Sequence, residues 1–145
     1  IAGNKSAVAR AIEACPARGA KRAMPLPVSA PFHSSLMQPA ALKLGVYLEN
    51  VVFSNPTIPV LNNVDVKEQT DPSKIKDALV RQAASPVRWV ETIRNMAAQG
   101  VTHVVECGPG KVLAGLVKRI DPRVQGLAAA DRASLEQALA AIRGG

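Results

Sequence analysis

Two histidines are the side chains of this chain best suited to move protons, and their settings differ. His33 lies in Ser29-Ala30-Pro31-Phe32-His33-Ser34-Ser35, a loop after an extended segment and before a helical pattern. Ligands in open α/β sheets bind where strands run out into loops. An imidazole there is placed to serve as general base for a nucleophile; the alternative is a histidine that only packs the loop. His103 falls inside the apolar run 101–106 and shares a strand face with Val101 and Val105. It reads as a structural histidine.

Gln82 draws attention through its backbone. It falls on the face of a helical pattern shared with Ile75 and Leu79. Its carbonyl would ordinarily accept from the N–H of residue 86, but residue 86 is proline and has none. A carbonyl stranded near the negative end of a helix must find another donor. An imidazole N–H would suit it, fixing the tautomer and favouring imidazolium; water or another backbone N–H would also serve. Gly108-Pro109-Gly110-Lys111 is phosphate-like but lacks the full spacing and the following Ser or Thr of a P-loop. It reads as a strand-to-helix turn whose helix N-terminus could hold an anion. Cys15, His33, His103 and Cys107 show no paired spacing of a zinc site, so no metal is expected. Two cysteines make no disulfide framework, which points to a reduced, cytoplasmic chain.

The elements that would hold these residues alternate. A helix is expected over 5–18, closing near Cys15 because of Pro16, with Val8, Ile12 and Cys15 on one face. Residues 21–28, with Pro25 and Pro27, read as an edge strand. A helix follows over about 36–50, with Leu36, Ala40, Leu44, Tyr47, Leu48 and Val51 at helical spacing. A short strand at 58–61 ends at Asn62-Asn63. Asp71-Pro72 starts a helix that runs to about Ala84. Another covers 87–98, with Val90, Ile93 and Ala97 inward. A strand at 101–106, a helix from Lys111, a strand near 124–129 and a helix at 133–143 complete the pattern. This alternation predicts an α/β layered fold with mostly parallel strands. A composition shift near Val28–Ser29 marks a candidate boundary.

The chain has 145 residues, 48% of them apolar, enough to bury a core. No run approaches the roughly 18 apolar residues of a membrane helix, so no membrane is expected. The net charge is +7, unevenly spread: seven bases against five acids in 1–72, eleven against six in 73–145. Four aromatics and no dense basic run argue against nucleic acid. An acidic protein or a phosphorylated ligand fits the charge better.

Several segments resemble one family. Lys21-Arg22-Ala23-Met24-Pro25-Leu26-Pro27-Val28-Ser29 with Pro31-Phe32-His33 is similar to malonyl-CoA:acyl carrier protein transacylase. So are Pro59-Val60-Leu61-Asn62-Asn63-Val64-Asp65, Leu79-Val80-Arg81-Gln82 with Ser85-Pro86-Val87-Arg88-Trp89, and Glu106-Cys107-Gly108-Pro109-Gly110-Lys111-Val112-Leu113. The resemblance spans essentially the whole chain, with the motifs in the family's order. It implies an α/β-hydrolase-like acyltransferase core with a ferredoxin-like small subdomain. Residues 1–28 would be the tail of the small subdomain, and 29–145 the C-terminal part of the large one. The implied activity moves malonyl from coenzyme A to the phosphopantetheine thiol of acyl carrier protein through a malonyl-serine, feeding fatty-acid extension. Coenzyme A enters as substrate, and no cofactor is implied.

Carried over by residue, His33 matches the family's catalytic base and Gln82 the residue whose main-chain carbonyl orients it. Phe32 matches a position where phenylalanine accompanies malonyl rather than bulkier substrates. Lys21, Arg22, Lys111, Lys118 and Arg119 are candidates for docking the acidic carrier protein. The family's Gly-His-Ser-Leu-Gly elbow, a form of the strained Gly-x-Ser-x-Gly turn, occurs nowhere in this sequence. The resemblance places the nucleophile, the arginine that pairs with the malonyl carboxylate and the loop that helps form the oxyanion hole in a missing N-terminal part. The chain is therefore expected to be a fragment, inactive and poorly stable alone. The alternative is a non-catalytic acyltransferase-like module that holds carrier protein or a partner subunit. A nucleotide-binding α/β domain, resting only on Gly108–Lys111, is the third reading.

Overall fold

The computed structural model describes residues 1–144. The described residues form helices α1 (Lys5–Ala14), α2 (Gln38–Glu49), α3 (Pro72–Ala84), α4 (Trp89–Ala98), α5 (Val112–Ile120) and α6 (Arg132–Arg143) and four strands, with helix and strand alternating only after α4. Two short strands, β1 (Leu61–Asn62) and β2 (Lys67–Glu68), pair antiparallel; β3 (His103–Cys107) and β4 (Gln125–Ala129) pair parallel. The mixture is α/β, as expected. Among the described residues no helix is long and apolar enough to cross a membrane. Contacts divide the chain into two compact units, Ile1–Arg88 and Trp89 onward.

In the first unit α2 packs on α3 through small residues. Ala41 and Leu48 of α2 and Ala78 of α3 are buried, and a Cβ on Gly45 would rest 3.6 Å from Val80. The α2 face that turns inward therefore runs through Ala41, Leu44, Gly45 and Leu48. Leu36, Ala40 and Tyr47, expected inward, are exposed, Tyr47 to 69%. Helix α3 begins as its sequence dictates: Pro72 fills the first turn, and Asp71 accepts from the Ser73 N–H at 2.7 Å. On α3 Gln82 shares its inward side with Ile75 and Ala78, whereas Leu79 is 44% exposed.

Two expectations fail in this unit. Residues 21–28 form no strand; Pro25 and Pro27 have no N–H for a ladder, and the Val28 N–H closes locally on Leu26 O at 2.9 Å. The strand expected at 58–61 begins at Leu61 and pairs with an unexpected second strand, so Asn62-Asn63 opens a hairpin turn. Asn62 makes that turn: its Oδ1 accepts from the Asp65 N–H and its Nδ2 donates to Lys67 O, both at 2.7 Å.

In the second unit β3 and β4 run in register from His103–Gln125 to Cys107–Ala129, joined by α5. Ile93, Val117 and Val124 form its core, with Trp89, Met96, Ala97, Val104 and Ile120 packed around them. Val90, expected inward, is exposed; Thr92 is buried beside Ile93. Gly126 lets α5 lie against β4, since a Cβ there would collide with the Ala114 backbone. Asp131 and Ser134 cap α6 reciprocally, at 2.8 and 3.0 Å.

The chain exposes 10601 Å². Leu135, Leu139 and Ile142 form an apolar stripe along α6 with 40–48% of each residue in solvent.

Candidate functional site

The loop carrying His33 is fixed on both sides. Ser34 Oγ donates to Pro31 O at 2.7 Å, and the Met37 N–H closes on Ser34 O at 2.9 Å as a single 3₁₀ turn leads into α2. His33 itself has φ 58°, in the left-handed region. Histidine enters that region more readily than most residues, yet a non-glycine held there stores strain that the surroundings must over-determine. The side chain is exposed. Its Nδ1 lies 3.1 Å from Gln82 O and 3.2 Å from Ser85 O.

That pair of distances fixes the chemistry of the ring. Both partners are carbonyl oxygens and can only accept, so Nδ1 carries the proton. In the neutral ring Nε2 then holds the lone pair. His33 is thus an Nδ1–H tautomer with a basic nitrogen on its far side, the arrangement a general base needs. If Nε2 takes a proton, the two carbonyls at the negative end of α3 face the positive ring.

The stranded carbonyl of Gln82 is less alone than its sequence implies. The Ser85 N–H also reaches it, at 3.3 Å, in the tightened last turn of α3. Pro86 acts twice. It supplies no N–H, and it drives Ser85 into an extended conformation, φ −112° and ψ 155°. The second carbonyl on His33 was missed from the sequence, although the restriction on a residue before proline was its signal. The Gln82 side chain stays local, its Nε2 directed at Ser85 O and Pro86 O at 3.4 and 3.3 Å.

The other candidates are placed as follows. Phe32, beside the base, is 48% exposed. Lys21 and Arg22 lie in exposed coil of the first unit. Lys118 and Arg119 occupy the last turn of α5 in the second unit, and Lys111 stands just before that helix. His103 bonds Thr102 Oγ1 through Nδ1 at 2.9 Å, and it lines a surface hollow with Lys118 and Arg123. The α5 N-terminus, weighed above as an anion site, already receives a carboxylate: the Ala114 N–H donates to Glu106 Oε2 at 2.9 Å. An incoming phosphate would have to displace it. Among the described residues no group of three or more His, Cys, Asp or Glu side chains could hold a metal ion.

No family model matches the chain. A malonyl CoA-acyl carrier protein transacylase of Salmonella typhimurium is 57% identical over 139 residues, covering 96% of this chain and 45% of that protein. An acyl-carrier-protein S-malonyltransferase of Burkholderia pseudomallei superposes with a TM-score of 0.90 at 59% identity, over 94% of this chain and 45% of that one. A malonyl-transacylase solved with its type II polyketide acyl-carrier protein superposes at 0.91 and 50% identity, over 99% and 45%. The chain thus spans less than half the length of each of these proteins.

Proposed function

We propose that this chain, similar over one stretch of their length to the malonyl CoA-acyl carrier protein transacylases, supplies the base half of a malonyl-transfer site. The observation that carries this is the commitment of His33 Nδ1 to two carbonyls, which leaves Nε2 free to take a proton. The nucleophile is a serine presented by another segment, since no Gly-x-Ser-x-Gly elbow occurs in these 145 residues.

In the first half-reaction Nε2 accepts the serine proton as Oγ attacks the thioester carbonyl of malonyl-CoA. Collapse of the tetrahedral adduct expels the coenzyme A thiolate, which takes that proton from the imidazolium, and malonyl-serine remains. In the second half, Nε2 deprotonates the phosphopantetheine thiol of acyl carrier protein. The sulfur attacks the ester, and the proton returns to serine Oγ as it departs. Gln82 O and Ser85 O keep the ring in one tautomer throughout. Phe32 crowds the substrate's α-carbon and favours malonyl over branched analogues. No resident cofactor is needed. Lys21, Arg22, Lys111, Lys118 and Arg119 meet the acidic carrier protein. Residues 1–28 belong to the small subdomain and 29–145 to the large one, and the chain works with the remainder of a whole transferase.

The test exchanges this chain for the matching stretch of the Salmonella enzyme. The chimera is expected to transfer malonyl, and His33→Ala within it to lose roughly 10³-fold in kcat or more. The isolated chain is expected to show no turnover. Full activity of the His33→Ala chimera, or normal turnover by the isolated chain, sinks the proposal.

A further inference from the structure

Hairpin β1–β2 has a ladder of only two residue pairs, too short to hold itself in water. It is tied instead to the two ends of the segment that grips His33. On one side, Asp65 accepts from Arg81 Nη1 and Nη2 at 2.8 and 2.7 Å, a fork-to-fork pairing. On the other, the Arg88 N–H donates to Asn63 O at 3.1 Å, and Arg88 Nη1 reaches Asp65 O at 3.4 Å. Residues 81 and 88 bracket residues 82–85, whose first and last carbonyls bond His33 Nδ1. The hairpin turn is itself tightly determined: Val66 is buried with φ 56°, a left-handed conformation that a β-branched residue adopts only under constraint.

Arg81 has a second carboxylate partner that serves as a built-in comparison. Its Nε donates to Asp77 Oδ2 at 2.7 Å, but Asp77 lies one turn back on the same helix. That bond links α3 to itself and fixes nothing beyond it. Of the two carboxylate pairings of Arg81, the one with Asp65 joins the helix end to another element.

We propose that Asp65 is a positioning residue for the base: by clamping Arg81 it sets the end of α3 so that the Gln82 and Ser85 carbonyls meet His33 Nδ1. This deepens the reading of His33 as base and rests on it. The carboxylate acts through the arginine and the helix end, never on substrate. Removing its negative charge, or the fork that receives it, lets residues 82–85 relax and frees the ring to exchange tautomers.

The tautomer is read directly from the imidazole ¹⁵N shifts of the chain, taken at about two pH units above the ordinary imidazole value. There are only two histidines, and His103 serves as the internal reference. The parent is expected to hold His33 with Nδ1 protonated and Nε2 bare. Asp65→Asn should lower the ratio of Nδ1–H to Nε2–H by roughly three- to tenfold, with unchanged far-ultraviolet circular dichroism. Arg81→Lys keeps the charge, loses the fork and should do the same. Asp77→Asn should leave the ratio alone. If Asp65→Asn unfolds, Arg81→Lys decides. A parent already in the Nε2–H form overturns the base reading itself. A parent in the Nδ1–H form, with folded Asp65→Asn and Arg81→Lys variants that keep its ratio, overturns the positioning role and spares the base.

Discussion

Gly126→Ala puts one methyl group where α5 and β4 touch. The new Cβ would overlap the carbonyl oxygen of Ala114 and stand 2.9 Å from its carbon. Atoms at such contacts hold off to 3.0 Å or more, so strand and helix must part by about 1 Å. The obstacle is backbone on a helix, not the end of a flexible side chain, which places the penalty at the upper end of overpacking effects, about 3 kcal/mol. For a unit of roughly 60 residues each kcal/mol moves Tm by about 4–8 °C, so the midpoint should fall by roughly 12–24 °C. The single tryptophan, Trp89, packs on Ile93, Val117 and Val124. Its fluorescence during thermal unfolding therefore reports this unit. Gly115→Ala is the matched comparison: it lies on the same helix with nothing within 4 Å of its added Cβ. It should stabilise by about 1 kcal/mol, because glycine inside a helix carries an entropic penalty. A Gly126→Ala midpoint within about 3 °C of the parent would refute the close approach of α5 to β4.

Acid should lower the stability of the chain in a defined window. Hydrogen bonding to Arg123 holds the Asp121 carboxyl at about 2, and bonds from Arg81, Ser73 and the Ser134 N–H hold Asp65, Asp71 and Asp131 below the ordinary carboxylate value. A carboxyl depressed on folding stabilises above its unfolded pKa, near 4, and loses that stabilisation as pH falls through its folded value. The urea midpoint should thus stay level from about pH 7 to 5 and drop between about 4 and 2; a loss that starts near pH 6 would point to other groups. In the Salmonella chimera proposed above, Lys118→Glu with Arg119→Glu should raise the KM for carrier protein roughly two- to tenfold at low salt and leave coenzyme A thioester hydrolysis unchanged, since rim charges govern encounter. An unaltered KM at low ionic strength removes these two residues from docking.

Local chemistry written into consecutive residues was legible before any coordinates. Asp71-Pro72 started α3 because a side-chain cap and a preset φ act within one turn. Pro86 ended it for the same kind of reason, and the need of the Gln82 carbonyl for a donor pointed toward an imidazole N–H. Helical spacing located α2 and α6 but not which side of each was covered. Tyr47 and the Leu135–Leu139–Ile142 stripe have the right period and still face solvent, since burial depends on a neighbouring surface that no local pattern contains. The same limit hid β2. Lys67–Glu68 carries no strand signal, and it pairs only because Asn62 folds the turn back on itself.

By itself, then, the order of residues determined where helices begin and stop, and which oxygen near Pro86 would want a partner. Only the tertiary structure decided that His33 would sit at φ 58° with a second carbonyl, from Ser85, on the same nitrogen. It alone brought Asp65 to Arg81, sixteen residues away, at both ends of a guanidinium fork. Capping and proline effects are settled within a few bonds along the chain. The tautomer of the ring is set by groups that meet only after α2, α3 and the hairpin have packed.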